Sequence, residues 1–250
     1  MFKHIEVNYK DKIKIISLNR PEVYNALNTE LMLELKQALL ESNDNHEVNS
    51  VILNGKGKAF CSGADIKEFE NQLDNNDAIL KRAQLTKEIH SLIPDLQKTI
   101  IASVHNYVYA GGCGLALACD IVLAADDATF SYPETNRGFV PALVMPNLIR
   151  VAGRRKAFEM LITGRKIPTQ EALDIGLINK IFSEDNLYDE TLKIAEEIAE
   201  KNQDVLINTK KLFNSVESLP YDSAMEEAKN YNISMRQSES FQEGVKNFNK

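Results

Sequence analysis

The sequence is short of cysteine, of positive charge and of long apolar runs, and each shortage closes off a class of protein. Its three cysteines, Cys61, Cys113 and Cys119, are too few and too irregularly placed for a disulfide framework, and no pair has metal-site spacing. Reduced thiols in a cytoplasmic setting are the default expectation. Lysine and arginine number 29 against 36 aspartates and glutamates, a net charge of −7, with an isoelectric point near 5.3. That balance argues against a nucleic-acid backbone as the main partner. It leaves room for a small anionic ligand in a local basic pocket. No apolar stretch approaches the roughly 20 residues needed to span a bilayer, so no membrane partner is expected. The opening Met1-Phe2-Lys3-His4-Ile5-Glu6 lacks the continuous apolar segment of a signal peptide. No internal repeat or low-complexity segment is visible.

What is present is enough for a sizeable fold. At 250 residues and 44% hydrophobic content, the chain can build one large core, or a core plus a smaller lobe. Val7 and Tyr9 belong to a first strand, and Ile13, Ile15 and Leu18 to a second after the Lys10-Asp11-Lys12 turn. From Thr29 to Ser42 the apolar positions Leu31, Leu35, Ala38 and Leu39 recur at helical spacing, with Asn28 as N-cap. Short apolar strands are expected at Val51 to Leu53, Ile100 to Val104 and Ile121 to Ala124, and helices from Asp77 to Leu92 and from Leu115 to Ala118. This alternation gives an α/β class. From Asn186 onward the pattern is almost continuously helical, broken near Asn202-Gln203, at Ser218-Leu219-Pro220 and around Ser238. The expected division is therefore a core at 1–195 carrying the site and a helical lobe at 196–250. A lobe charged on one side and apolar on the other docks on its own core or on a neighbouring subunit.

Three segments carry chemistry. Lys58-Ala59-Phe60-Cys61-Ser62-Gly63-Ala64-Asp65-Ile66-Lys67-Glu68 follows a strand and opens a helix, with Asp65 and Glu68 suited to the positive end of the helix dipole. Backbone N–H groups at such a start are unpaired and able to hold a negative oxygen; an ordinary capped turn is the bland alternative. Ala110-Gly111-Gly112-Cys113-Gly114 also enters a helix, and adjacent glycines permit close backbone approach. A dinucleotide fingerprint is a rival reading there, since Gly112-Cys113-Gly114 supplies G-x-G and Glu134 lies 20 residues past Gly114. It fails at the third glycine position, which is Leu117, and it sits mid-chain rather than after the first strand. The third segment is Phe130-Ser131-Tyr132-Pro133-Glu134-Thr135-Asn136-Arg137-Gly138-Phe139-Val140-Pro141. A glutamate after proline amid apolar residues suits a proton shuttle with a raised pKa; a surface acid paired with Arg137 is equally open from spacing alone. His90 and His105 read as ordinary helix and strand-end residues, because no second ligand sits at metal spacing. Cys61 has no evident base partner and reads as a packing residue. Lys246 and Lys250 are either solvated or within reach of a ligand phosphate.

Together these segments resemble the crotonase superfamily, the enoyl-CoA hydratase/isomerase family. The similarity runs from Asn19-Arg20-Pro21-Glu22-Val23-Tyr24-Asn25-Ala26-Leu27-Asn28, through Ala59 to Glu68 and Ala118-Cys119-Asp120-Ile121-Val122-Leu123-Ala124, to Leu161-Ile162-Thr163-Gly164-Arg165-Lys166-Ile167 and the helical C-terminus. The resemblance implies a spiral of ββα units and a C-terminal helical region used for trimerisation, often into dimers of trimers. It implies an acyl-CoA substrate, with an acyl-carrier-protein thioester as the other carrier, and no cofactor or metal beyond the coenzyme A of that substrate. The family's two oxyanion-hole N–H groups map onto Ala64 and Gly111. Ala64, Asp65, Ile66 and Lys67 would line the CoA path, with Gly111, Gly112, Gly114 and Pro141 also at the substrate.

Of the two glutamates that family hydratases carry, the second maps onto Glu134 and the first onto Gly114, which has no side chain. Thr99, Asn106 and Ala110 stand where family members often have Pro, Gly and Gly, and Pro141-Ala142-Leu143-Val144-Met145-Pro146 replaces a glycine-rich stretch. The expected function is a hydratase or dehydratase with Glu134 as the lone acid/base, a water being held by other polar groups or in the space Gly114 vacates. A Δ3,Δ2-enoyl-CoA isomerase, which needs only one carboxylate, is the alternative. A non-catalytic acyl-CoA binder that kept the turns by descent is the third reading.

Overall fold

The computed structural model describes residues 2–248; Lys250 lies outside the described residues. The first two strands, β1 (Ile5–Lys10) and β2 (Ile13–Leu18), form an antiparallel hairpin. After the loop at 19–28 comes α1 (Thr29–Asp44), whose first turn is capped by Asn28 accepting from the Leu31 N–H at 2.9 Å. Then follow β3 (Ser50–Gly55), a five-residue α2 (Ile66–Glu70), α3 (Asn76–Asp95), β4 (Thr99–Val104) and β5 (Tyr107–Tyr109). The chain continues through α4 (Gly111–Ala118), β6 (Ile121–Ala125), β7 (Thr129–Ser131), α5 (Met145–Thr163), β8 (Ile167–Pro168), α6 (Thr169–Asp174), β9 (Lys180–Phe182) and α7 (Glu184–Ala199). It ends in α8 (Gln203–Glu217), α9 (Tyr221–Arg236) and α10 (Glu239–Phe248).

Six strands form one sheet in the order β1-β2-β3-β4-β6-β9, and β5-β7-β8 form a second, smaller one. After the opening hairpin every pairing in the large sheet is parallel, with Ile15 opposite Ile52 and Ile52 opposite Ile101. A parallel sheet needs cover on both faces, which is why β2 is buried at all six positions. Ile16 and Leu18 point into the main core with Leu31, Leu35 and Leu39 of α1. Ile13 and Ile15 point the other way into a smaller core closed by α7 through Leu187, Ala195 and Ala199. Lys14, alternating onto the α1 side, is fully buried and donates from Nζ to the Ala38 carbonyl at 2.7 Å.

The helical breaks fall where the sequence places them, at Asn202, at Pro220 and at Ser238. The division expected at 195/196 cuts through α7, whose buried stripe of Leu187, Thr191, Ala195 and Ala199 belongs to the sheet. The texture of the chain changes after that helix. Beyond it, α8 and α9 bury no residue, and Phe213, Tyr221 and Met225 stand exposed.

Candidate active site

Two loops are knitted together beside the ends of β3 and β5. Asn25, wholly buried, donates from Nδ2 to the carbonyls of Lys56 (3.0 Å) and Ala59 (2.8 Å), and its Oδ1 accepts from the Arg20 N–H. The Leu27 N–H donates to Gly63 O at 2.8 Å and the Asp65 N–H to Leu27 O at 3.0 Å, a short parallel ladder that fixes the turn between them. Arg20 locks its outer side, reaching the Ala26 carbonyl and, at 2.9 Å, the Asp65 carboxylate. On the inner side the Cys61 N–H donates to Tyr107 O and the Tyr109 N–H to Cys61 O. The start of α4 therefore lies against Gly63-Ala64.

That approach is tight enough to demand glycine. Gly63 has φ +101°, and a Cβ there would come within 2.7 Å of the Ala110 methyl. A Cβ on Gly112 would sit 2.5 Å from Cys61 O. Ala110 itself holds φ +52° and ψ −119°, a conformation costing a non-glycine residue about 1–3 kcal/mol. Asn106 also has positive φ, at +49°. These are two positions where the family resemblance leads one to expect glycine, and asparagine and alanine hold the positive φ there instead.

The product of this geometry is a pair of donors. The N–H groups of Ala64 and Gly111 have no acceptor among the described residues. Ala64 N lies 3.9 Å from the point where a Cβ on Gly111 would stand, and both residues line one cavity of about 440 Å³. Its walls are largely apolar, including Leu27, Met32, Phe69, Leu73 and Ile79.

Glu134 lines the same cavity from a 3-10 turn at Pro133–Arg137. Its Oε2 is enclosed and accepts no hydrogen bond from any described residue. Burial pushes its pKa up, opposed by its own backbone N–H and by the charge of Arg137. Across the cavity, Arg82 of α3 donates from Nη2 to Leu27 O at 2.8 Å and from Nη1 to Thr86, with Nε 3.3 Å from Glu68. Glu68 in turn accepts the Thr29 N–H at the start of α1 with both oxygens. Burial lowers the guanidinium pKa, with Glu68 opposing. Arg82 thus braces the Leu27 strut under the first turn.

A family model described as enoyl-CoA hydratase/isomerase matches residues 8–250. The chain belongs to this family. It is 37% identical over 204 residues to the mitochondrial enoyl-CoA hydratase of Pongo abelii, covering 81% of this chain and 69% of that one. It is 35% identical over 204 residues to the crotonyl-CoA hydratase of Syntrophomonas wolfei, covering 81% and 78%. Among solved structures, human enoyl coenzyme A hydratase domain-containing protein 3 superposes with a TM-score of 0.95 at 28% identity, covering 98% of this chain and 97% of that chain. An enoyl-CoA hydratase from Mycobacterium smegmatis gives 0.94 at 29% identity, covering 98% and 96%. The two-sheet α/β architecture is therefore the crotonase fold.

Within this enoyl-CoA hydratase/isomerase frame the residues singled out from the sequence separate into two groups. Ala64, Ile66, Gly111, Glu134 and Pro141 come together on the cavity. Asp65 does not face it: the residue is the N-cap of α2, accepting the Lys67 N–H and holding Arg20. Lys67 is exposed and Gly112 is packed on Cys61, so neither lines the cavity. Cys61 is a packing residue, its buried thiol donating to Asn25 O and pushed up to about 12 by desolvation.

Gly114 requires a correction. The expectation that its missing side chain leaves room for water is not met, because a Cβ there would lie 2.5 Å from Val144 Cγ1 and 2.6 Å from His90 Cε1. The vacated space is filled. Arg82 and Thr86 line the cavity without being singled out by the sequence, yet a signal exists. Arg82, Thr86 and His90 form a polar stripe at i, i+4, i+8 on α3, beside its buried Leu85, Ile89 and Ile93.

Proposed function

We propose that the protein is a hydratase or dehydratase of acyl thioesters, working through an enolate held by the N–H groups of Ala64 and Gly111, with Glu134 exchanging the α-proton. The observation that carries the reading is the enclosed, unpartnered Oε2 of Glu134 on the same cavity as two unpartnered backbone donors. A thioester carbonyl accepting both N–H groups places its developing negative charge on them. One such donor supplies about 3–4 kcal/mol in acyl-transfer sites. Glu134, with its pKa raised by burial, then carries a proton to Cα in the hydration direction and removes it in reverse. The hydratase names of the relatives favour water addition. The apolar walls fit a hydrocarbon acyl chain, and Ile66 at the mouth fits the pantetheine of coenzyme A, with an acyl-carrier-protein arm as the other carrier.

One observation favours a second reading. Glu134 is the only carboxylate residue lining the cavity among the described residues, and one carboxylate suffices for a Δ3,Δ2-enoyl-CoA isomerase that moves a proton between Cα and Cγ. The deciding experiment is incubation with 2-enoyl-, 3-enoyl- and 3-hydroxyacyl-CoA in D2O followed by mass spectrometry. Water addition to the 2-enoyl thioester, with deuterium at Cα of the product, is the expected result. Double-bond migration without water addition assigns the isomerase, and inertness throughout assigns a binding protein.

Two further properties belong to the same proposal. The exposed Phe213, Tyr221, Met225 and Ile233 form the apolar side of α8 and α9, which we assign to contacts within a trimer or a dimer of trimers. Three unpaired cysteines fit a reducing cytoplasm, and no helix among the described residues is long and apolar enough to cross a membrane.

A further inference from the structure

The group that fills the place of the missing glutamate is itself an acid–base side chain. A Cβ built on Gly114 would lie 2.6 Å from Cε1 and 3.3 Å from Nε2 of His90. The imidazole therefore occupies the space into which a side chain at 114 would grow. Its orientation is set from the other side. Nδ1 is 3.3 Å from the Leu143 carbonyl, and a carbonyl oxygen only accepts, so Nδ1 carries the proton and Nε2 of the neutral ring keeps a lone pair. Nε2 makes no hydrogen bond with any described residue, and it is not sealed from solvent-accessible space. The buried ring is not itself a lining residue but stands directly behind the cavity wall, against Leu143 and Val144, which line the cavity together with Thr86 and with Gly111 one turn before Gly114 on α4.

We propose that His90 is the second acid–base residue of the site, and that its Nε2 exchanges a proton with the water whose oxygen bonds to Cβ of a 2-enoyl thioester. The inference rests on the hydratase reading above and supplies the half of the chemistry that one glutamate leaves open. In the hydration direction the water oxygen forms its bond to Cβ while the water proton passes to Nε2. The C=C electron pair moves towards the thioester oxygen, held by the Ala64 and Gly111 N–H groups. The pair then returns as Cα takes the proton of the Glu134 carboxyl. His90 is left protonated and Glu134 ionised, and transfer of one proton from the first to the second through solvent resets both. One water is consumed, no electrons are lost, and dehydration is the same sequence reversed. Burial supports this pairing of protonation states, lowering the pKa of His90 and raising that of Glu134.

The test compares wild type with His90→Gln and with His90→Phe, the second variant keeping a planar ring in the buried site. Hydration of a short 2-enoyl-CoA is measured beside the Kd of the matching saturated acyl-CoA, which cannot be hydrated. A loss of about 100-fold or more in kcat for hydration, with the saturated ligand bound within about threefold of wild type, is expected. Hydration within threefold of wild type in a folded variant would overturn the assignment and leave the hydratase reading standing. An equal loss of binding and turnover in both variants would reduce His90 to a packing residue. A wild type that shifts double bonds without adding water would overturn both readings together.

Discussion

Ala64 and Gly111 meet the cavity with main-chain N–H groups, whereas Glu134 meets it with a side chain and His90 stands behind its Leu143–Val144 wall, and the two flanks tolerate change in different ways. A donor made of backbone survives substitution of its own side chain, but it depends on how closely two chain segments can lie. Hence Gly63, Gly112 and the strained Ala110 surround it, and the Leu27 ladder and Arg20 hold it from outside. A proton-handling group made of side chains needs only the right atom at the right place. It can be supplied from another element, as we propose for His90 of α3 beside Gly114. The backbone flank is fixed by geometry and the side-chain flank by chemistry.

The largest effect expected from breaking this contrast is on the side-chain flank. Glu134→Gln keeps shape and hydrogen-bonding capacity but removes the proton shuttle, so kcat should fall by about 10²–10⁴-fold while the saturated-thioester Kd stays close to wild type. Steady-state kinetics with calorimetry measure both, and near-normal turnover would remove Glu134 from the mechanism. On the backbone flank, Gly112→Ala should lower both stability and turnover. The new methyl would lie 2.5 Å from Cys61 O and 2.8 Å from Cys61 Cβ, forcing the start of α4 away from Ala64. A displacement approaching 1 Å costs on the order of 10²-fold in rate, and overpacking costs about 1–3 kcal/mol. An unchanged kcat with an unchanged melting temperature would show that the two turns are less tightly coupled than their contacts indicate. The smallest effect is expected at Ala110→Gly. It relieves positive φ and should stabilise the fold by at most about 1 kcal/mol, since glycine adds unfolded-state entropy. Turnover should hold, because the Ala110 N–H still donates to Ser131 O at 2.8 Å. A more stable but slower enzyme would mean that the strain itself aims the Gly111 donor.

Legibility in the sequence follows the range of the interaction concerned. The cap at Asn28 and the breaks at Asn202, Pro220 and Ser238 are set by neighbours a few residues away, and they appear where local patterns place them. The two glycine-bearing turns are visible as glycines entering helices, but their convergence is available only through family resemblance, since it depends on pairing Cys61 with Val108 and Leu27 with Ala64. The helix up to the break near Asn202 is legible, but the 195/196 division falls inside it because an amphipathic stripe looks the same whether it covers a sheet or another subunit. His90 reads as an ordinary helix residue for a similar reason. Nothing along α3 announces that α4 presents a bare backbone to it. The empty side chain at Gly114 was legible, and what fills it was not.

The closeness of His90 to position 114 also couples the two positions to substitution. A side chain at 114 and the imidazole in its present place compete for one space, so what either position tolerates depends on the other. Adding a side chain at 114 with the ring in place would crowd it, and overpacking of that kind strains a close-packed interior. Shortening residue 90 first leaves only a cavity, costly but open to filling. Of the two orders of exchange the less strained therefore passes through a form with glycine at 114, one carboxylate on the cavity and a hole behind its wall.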